Sequence, residues 1–151
     1  MKYLLLLLPL LLSAAILKVG DDFQLREFKD QKEKSHKLKK NQTIVMTWDK
    51  ESTQIANSFF DENRELLKDD KIVMIVDVST TPYGIMQLFV LPKLEGYKHP
   101  ILLSYDEAYN LNLPYKDGFL TLLKITNSKV KNIEFVETKE NLKENLAKIT
   151  P

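Results

Sequence analysis

Thr43-Ile44-Val45-Met46-Thr47-Trp48-Asp49-Lys50-Glu51-Ser52-Thr53 begins as a nearly continuous run of β-formers and turns, at Trp48, into polar residues of the kind that start helices. A run this short and this apolar fits a strand covered on both faces, which places it at the centre of a sheet. Ile55, Phe59, Phe60, Leu66 and Leu67 follow at helical spacing, with Ser52 or Thr53 suited to capping the first turn. The stretch Ile72-Val73-Met74-Ile75-Val76-Asp77-Val78 is a second buried strand. Thr81-Pro82 reads as a cap followed by the first helical residue, and Ile85, Met86, Leu88 and Phe89 form a second helix that Pro92 ends or kinks. Strand, helix, strand, helix in this order predicts parallel pairing through right-handed crossovers.

The flanks differ in character. Phe23, Leu25 and Phe28 predict a half-buried edge strand, and Lys29 to Asn41 carries six lysines against Asp30 and Glu33. That surplus reads either as a patch for anionic surfaces or, in the plainer account, as a solvated loop or hairpin. Downstream, Pro100 to Tyr105 predicts a short strand and Asp106 to Asp117 a polar connection containing Pro114. Phe119 to Thr126 and Val130 to Val136 predict a hairpin whose Asn127 takes the positive φ of a tight turn. Thr138 is placed to cap a last helix with Leu142, Leu146 and Ile149 on one face.

Composition sets limits on chemistry. The 151 residues are 44% apolar and 28% charged, with no cysteine and only two histidines, His36 and His99. Without cysteine there is no disulfide, no thiol nucleophile and no zinc–thiolate site. Four scattered glycines form neither GxGxxG nor GxxxxGK[ST], and no DxDxDG loop or clustered histidine spacing predicts a metal. No cofactor is expected. Asn41-Gln42-Thr43 matches a glycosylation acceptor by pattern alone.

Residues 1–15 read as a signal peptide: Lys2 is the positive end, Tyr3 to Leu12 the apolar run and Ser13-Ala14-Ala15 the cleavage region. The run falls short of the about 20 residues of a membrane span. Cleavage after Ala15 would leave one domain, residues 16–151, in the periplasm and without stable membrane insertion; retention as an anchor is the lesser alternative. Lys2 is the only charged residue in the leader, so that domain keeps 21 basic and 21 acidic side chains, a balance that speaks against dedicated nucleic-acid binding and against strong steering by anionic surfaces.

This order of elements resembles the thioredoxin-like superfamily, a three-layer α/β sandwich with a mixed sheet and helices on both faces. Gly20 to Leu38 looks like the opening hairpin of the peroxiredoxin and thiol-disulfide interchange branch, Ile44 to Trp48 like the strand preceding the redox motif, and Ile72 to Ser79 like the next central strand. Phe119 to Leu146 resembles the closing hairpin and helix. More narrowly, the chain is similar to exported, cysteine-free thioredoxin-fold proteins of Gram-negative bacteria. An ungapped alignment from Trp48 sets Ser52 and Ile55 where a CxxC would hold its two cysteines, and neither can form a disulfide. The family's cis-proline falls at Asp117-Gly118, unless Pro100 takes its place.

Trp48, Asp49, Lys50, Glu51, Ser52 and Thr53, at the carboxyl end of a central strand, form the expected binding site, joined by Asp77, Pro100 and Gly118 at its edge. Capping by Asp49 and Ser52 and core packing by Trp48 account for the same residue types more plainly. Asp77, near Thr80 and Thr81, reads as a site acid or as a turn residue. A Ser52 nucleophile served by His36 or His99, with Asp49 or Asp77 as orienter, lacks any GxSxG context. Tyr83, Phe89, Tyr97, Tyr105, Tyr109 and Tyr115 read as core before they read as an apolar ligand site. The expected function is a non-catalytic module binding a protein or peptide partner of the envelope. The alternative is a small-ligand or cofactor protein, such as a flavin carrier, or an oxidoreductase without thiol chemistry.

Overall fold

A computed structural model describes residues 15–149; the expected signal peptide, up to Ala14, lies outside the described residues. Strands β1 (Glu27–Asp30), β2 (Ser35–Lys37), β3 (Gln42–Thr47), β4 (Ile72–Asp77), β5 (Leu102–Ser104), β6 (Leu120–Thr126) and β7 (Lys129–Val136) form one mixed sheet in the order β2-β1-β5-β4-β3-β6-β7. Parallel β3, β4 and β5 lie inside it, β3 and β4 as their apolar runs predict, and β6 runs antiparallel to β3, with Met46 opposite Thr121. Among the described residues, no helix is long and apolar enough to cross a membrane.

Helix α1 (Lys50–Glu62) follows β3, and a 3-10 turn (Arg64–Leu67) leads to β4. After β4 a continuous helix runs through α2 (Tyr83–Ile85), a π-helical segment (Met86–Val90) and α3 (Leu91–Glu95). One-turn α4 (Glu107–Asn110) follows β5, and α5 (Lys139–Ile149) closes the chain. The steps β3 to β4 and β4 to β5 move the same way across the sheet, so right-handed crossovers put both connecting helices on one face. There Ala56, Phe60, Met86, Leu94, Leu142 and Leu146 pack on Val45, Met74, Val76 and Leu122. On the other face α4 and the N-terminal segment, through Tyr109, Leu113, Phe23, Phe28 and Leu38, cover Ile44, Met46, Ile75 and Leu123.

Several local expectations are corrected. The strand expected from Phe23 to Phe28 is confined to Glu27–Asp30 and is interior, between β2 and β5; Phe23 and Leu25 serve as packing residues on one face. The lysine-rich stretch forms the hairpin, and its β2 is the sheet edge. The cap residue of α1 is Asp49 and not Ser52 or Thr53: its carboxylate reaches forward to the Ser52 amide while Ser52 answers it in a capping box, as the plainer account of this turn expects. Pro82 is the cap of α2, not its first residue, with its ψ of 140° still extended. Pro92 does not stop the helix: it falls in the first turn of α3, after a π turn in which the Leu91 N–H reaches the Met86 carbonyl. The polar connection from Asp106 to Asp117 holds α4 and buries Tyr109, Asn110 and Leu113. As expected, Asn127 has positive φ (50°), joined by Ser128 (61°), in the two-residue turn between β6 and β7.

Candidate functional site

Trp48 to Thr53 carry the chain from the carboxyl end of β3 into α1, and their polar atoms are absorbed locally. Asp49 Oδ1 accepts the Ser52 N–H at 2.7 Å, while Ser52 Oγ accepts from the Trp48 and Asp49 amides at 3.0 and 3.1 Å. The Ser52 hydroxyl donates to the Asp49 carbonyl at 3.3 Å. Thr53 and Thr47 join through their hydroxyls at 2.8 Å. The half-buried Trp48 indole donates to Thr121 Oγ1 at 3.0 Å and meets Tyr115 edge-on, with centroids 5.4 Å apart. Lys50 and Glu51 are exposed.

A cavity of about 390 Å³ lies beside this turn, between α1, the carboxyl end of β4 and the α2–α3 helix. Trp48, Asp49, Lys50 and Thr53 line it from one side, and Asp77, Thr80 and Thr81 from β4 and the loop beyond. Phe89, Val90, Leu94 and Tyr97 supply an apolar wall. Asp77 Oδ1 accepts from Ser79 N (2.9 Å), Ser79 Oγ (2.6 Å) and Asn110 Nδ2 (2.7 Å), so the turn role expected of Asp77 holds while it also lines the cavity.

Gly118, with φ of 79°, precedes β6, whose first residues pair beside the end of β3. It therefore sits at the expected edge. Pro100 does not: it enters β5 from the amino end, two residues before Leu102, which pairs with Ile75 inside β4. No cis peptide bond occurs among the described residues.

The serine-nucleophile arrangement is absent. Ser52 is 1% exposed, with its hydroxyl committed to the helix start. His36 Nε2 lies 2.7 Å from Asp30 Oδ2 in the β1–β2 hairpin. His99 is 2% exposed, with Nε2 2.9 Å from Asn57 Oδ1, and burial pushes its imidazole down to about 4. Neither histidine partners Ser52.

The aromatic residues expected in the core are mostly outside it. Tyr83 is 80% and Phe89 66% exposed, with Tyr105 and Tyr115 also at the surface, while Tyr109 is buried and Tyr97 half-buried. Helical periodicity misled here because the α2–α3 helix buries only Met86 and Leu94, leaving Tyr83, Ile85, Leu88 and Phe89 exposed, with Phe89 also lining the cavity. Asn57, Lys93 and Val90 are cavity residues the sequence reading missed. Asn57 carried a signal, being a polar residue amid the apolar positions of α1. No cluster of metal-ligating side chains occurs among the described residues.

Solved structures share this architecture. The chain superposes on a PrxQ mutant from Xylella fastidiosa with a TM-score of 0.59 at 11% identity, covering 89% of this chain and 96% of that one. For the peroxidoxin BcpB of Mycobacterium tuberculosis the TM-score is 0.55 at 16% identity, over 88% and 96% of the two chains. For StoA of Bacillus subtilis it is 0.54 at 14% identity, over 80% and 95%. These likenesses establish a thioredoxin-like fold, here in a chain without cysteine. No protein-family model and no curated protein matches the chain.

Proposed function

We propose that this thioredoxin-fold chain is an exported, non-catalytic binding module that receives a protein or peptide segment at the carboxyl ends of β3 and β4. The observation that carries the reading is the pairing of an open cavity with an uncovered apolar helix face at the fold's ligand edge. Ser52 and Ile55, at the redox positions, hold the helix start and pack against the core, so the turn supplies shape and no thiol chemistry. Export rests on the residue 1–15 pattern, and the partner would be an envelope protein.

Crosslinking in cell-envelope extract tests the site. The doubly substituted Leu88→Ser, Phe89→Ser protein, altered only at exposed positions, should lose partner capture while unfolding at the same denaturant concentration as the parent. Unchanged capture would remove the site from consideration. A mature mass starting at Ile16 would support export.

A second reading has its own observation. The cavity, about 390 Å³ with an apolar wall, falls in the range of small-molecule pockets, roughly 300–1,000 Å³. A bound small ligand would appear as extra mass in native mass spectrometry of protein from its own host, lost on denaturation. Absorbance near the flavin band would identify a flavin, although the sequence has no glycine-rich phosphate loop for one.

A further inference from the structure

At the opposite end of the sheet, a second cavity of about 340 Å³ gathers the charge that the rest of the molecule balances. Its lining includes Lys34 and Lys37 around edge strand β2, Lys39 from the turn that follows, and Lys68 from the segment before β4. One acidic side chain, Asp70, lines it too, and its carboxylate lies 3.3 Å from Lys39 Nζ. Four lysines and one aspartate thus contribute to its lining, in a chain with formal net charge +1.

Glu27 stands opposite Lys37 across the β1–β2 pair without an ion pair to it, and other acids nearby are engaged elsewhere. Asp30 is buried, its Oδ1 accepting the Lys32 and Lys34 amides and its Oδ2 facing His36 Nε2. Asp69 pairs with Lys71, and Glu33 with Lys29. Among the described residues, Lys34, Lys37 and Lys68 make no ion pair of their own. Protection of an exposed sheet edge explains lysines on β2, since edge strands carry them to deter pairing with other chains. It does not explain Lys68, which comes from a segment about thirty residues further along the chain and lines the same cavity.

We propose that this cavity is a phosphate-binding site, taking the phosphate group of an anionic phospholipid or of a soluble phosphate ester between Lys37 and Lys68. Several flexible ammonium groups around a pocket suit a compact, multiply accepting anion. The proposal is independent of the peptide reading, which concerns the other end of the sheet.

Two arms test it on the purified protein at low salt. The first is an amide-shift titration with glycerol 3-phosphate, and the second is flotation with phosphatidylglycerol vesicles against phosphatidylcholine vesicles. Shifts confined to residues 34–39 and 68–70 identify a soluble ester as the source; flotation with phosphatidylglycerol alone identifies a headgroup. In the arm that binds, Lys37→Glu with Lys68→Glu should weaken affinity about tenfold or more. Lys143→Glu with Lys148→Glu on α5 makes the same change in net charge at other exposed lysines and should leave binding near the parent's. The neutral pair Lys37→Gln with Lys68→Gln, at the same exposed positions, guards against misfolding and should also weaken binding. Absence of binding in both arms, or equal weakening by the α5 pair, would overturn the site.

Discussion

Ser52 and Asp49 cap each other: the Asp49 carboxylate accepts the Ser52 N–H at 2.7 Å, and the Ser52 hydroxyl oxygen accepts the Asp49 N–H at 3.1 Å. This reciprocal box commits the serine hydroxyl and the aspartate carboxylate to the start of α1. Asp49→Ala is expected to cost about 1 kcal/mol in urea unfolding. Ser52→Cys should give a thiol that labels only as fast as the protein opens, because the position is 1% exposed. Rapid labelling in the native state would show that the turn is open to chemistry.

His99 makes stability depend on pH. Its imidazole is pushed down to about 4 chiefly by burial, against the opposing charge of Asp61, with Arg64 adding a smaller push downward. The unfolded chain therefore binds the proton more readily, with a pKa of about 6.5, and stability rises with pH across this window. It is complete above about 6.5 and declines by roughly 1 kcal/mol per pH unit as pH falls toward 4. Urea unfolding between those pH values should show the slope, and His99→Gln should flatten it. An equal slope in the variant would assign the effect to other groups.

The central strands were legible because buried parallel strands need continuous apolar runs, and β3 and β4 have them. The turn after β3 was legible for a related reason: capping residues follow a strand end where α/β sheets place their ligands. The α2–α3 helix was not. Its apolar residues have helical spacing, but periodicity cannot tell a face turned to the core from one left uncovered, and here Leu88 and Phe89 point outward while Met86 points in. Pro100 was ambiguous because its place depends on β5 adding to the parallel set, a pairing set by tertiary contacts. The lysines of the first hairpin were visible as composition, but Lys68 joins them only in the fold.

Gly118 holds the entry to β6 with φ of 79°, a conformation that favours glycine. A Cβ added there would meet nothing within 4 Å, so the cost of Gly118→Ala is conformational and not steric. A loss of about 1 kcal/mol is expected, with Gly118→Asn costing less because asparagine tolerates this region. Denaturant unfolding of the two variants, compared with the parent, measures the difference; a neutral Gly118→Ala would mean that the turn relaxes.

Trp48 offers a direct reading of the cavity, because it is the only tryptophan in the chain and lines the space itself. Its indole is held by Thr121 at 3.0 Å and by the edge-on Tyr115 ring, so its emission reports a fixed environment. A peptide or small ligand entering beside Phe89 and Val90 would exclude water from the exposed part of the ring and shift the emission to shorter wavelength. Trp48→Phe should remove the signal and, by leaving Thr121 without its indole donor, cost about 1 kcal/mol in stability. The Leu88→Ser, Phe89→Ser protein should keep the parent's resting spectrum but need at least about tenfold more peptide for the same shift. A phosphate ester bound at the lysine cavity, on the far end of the sheet, should leave Trp48 emission unchanged, which separates the two sites in a single titration.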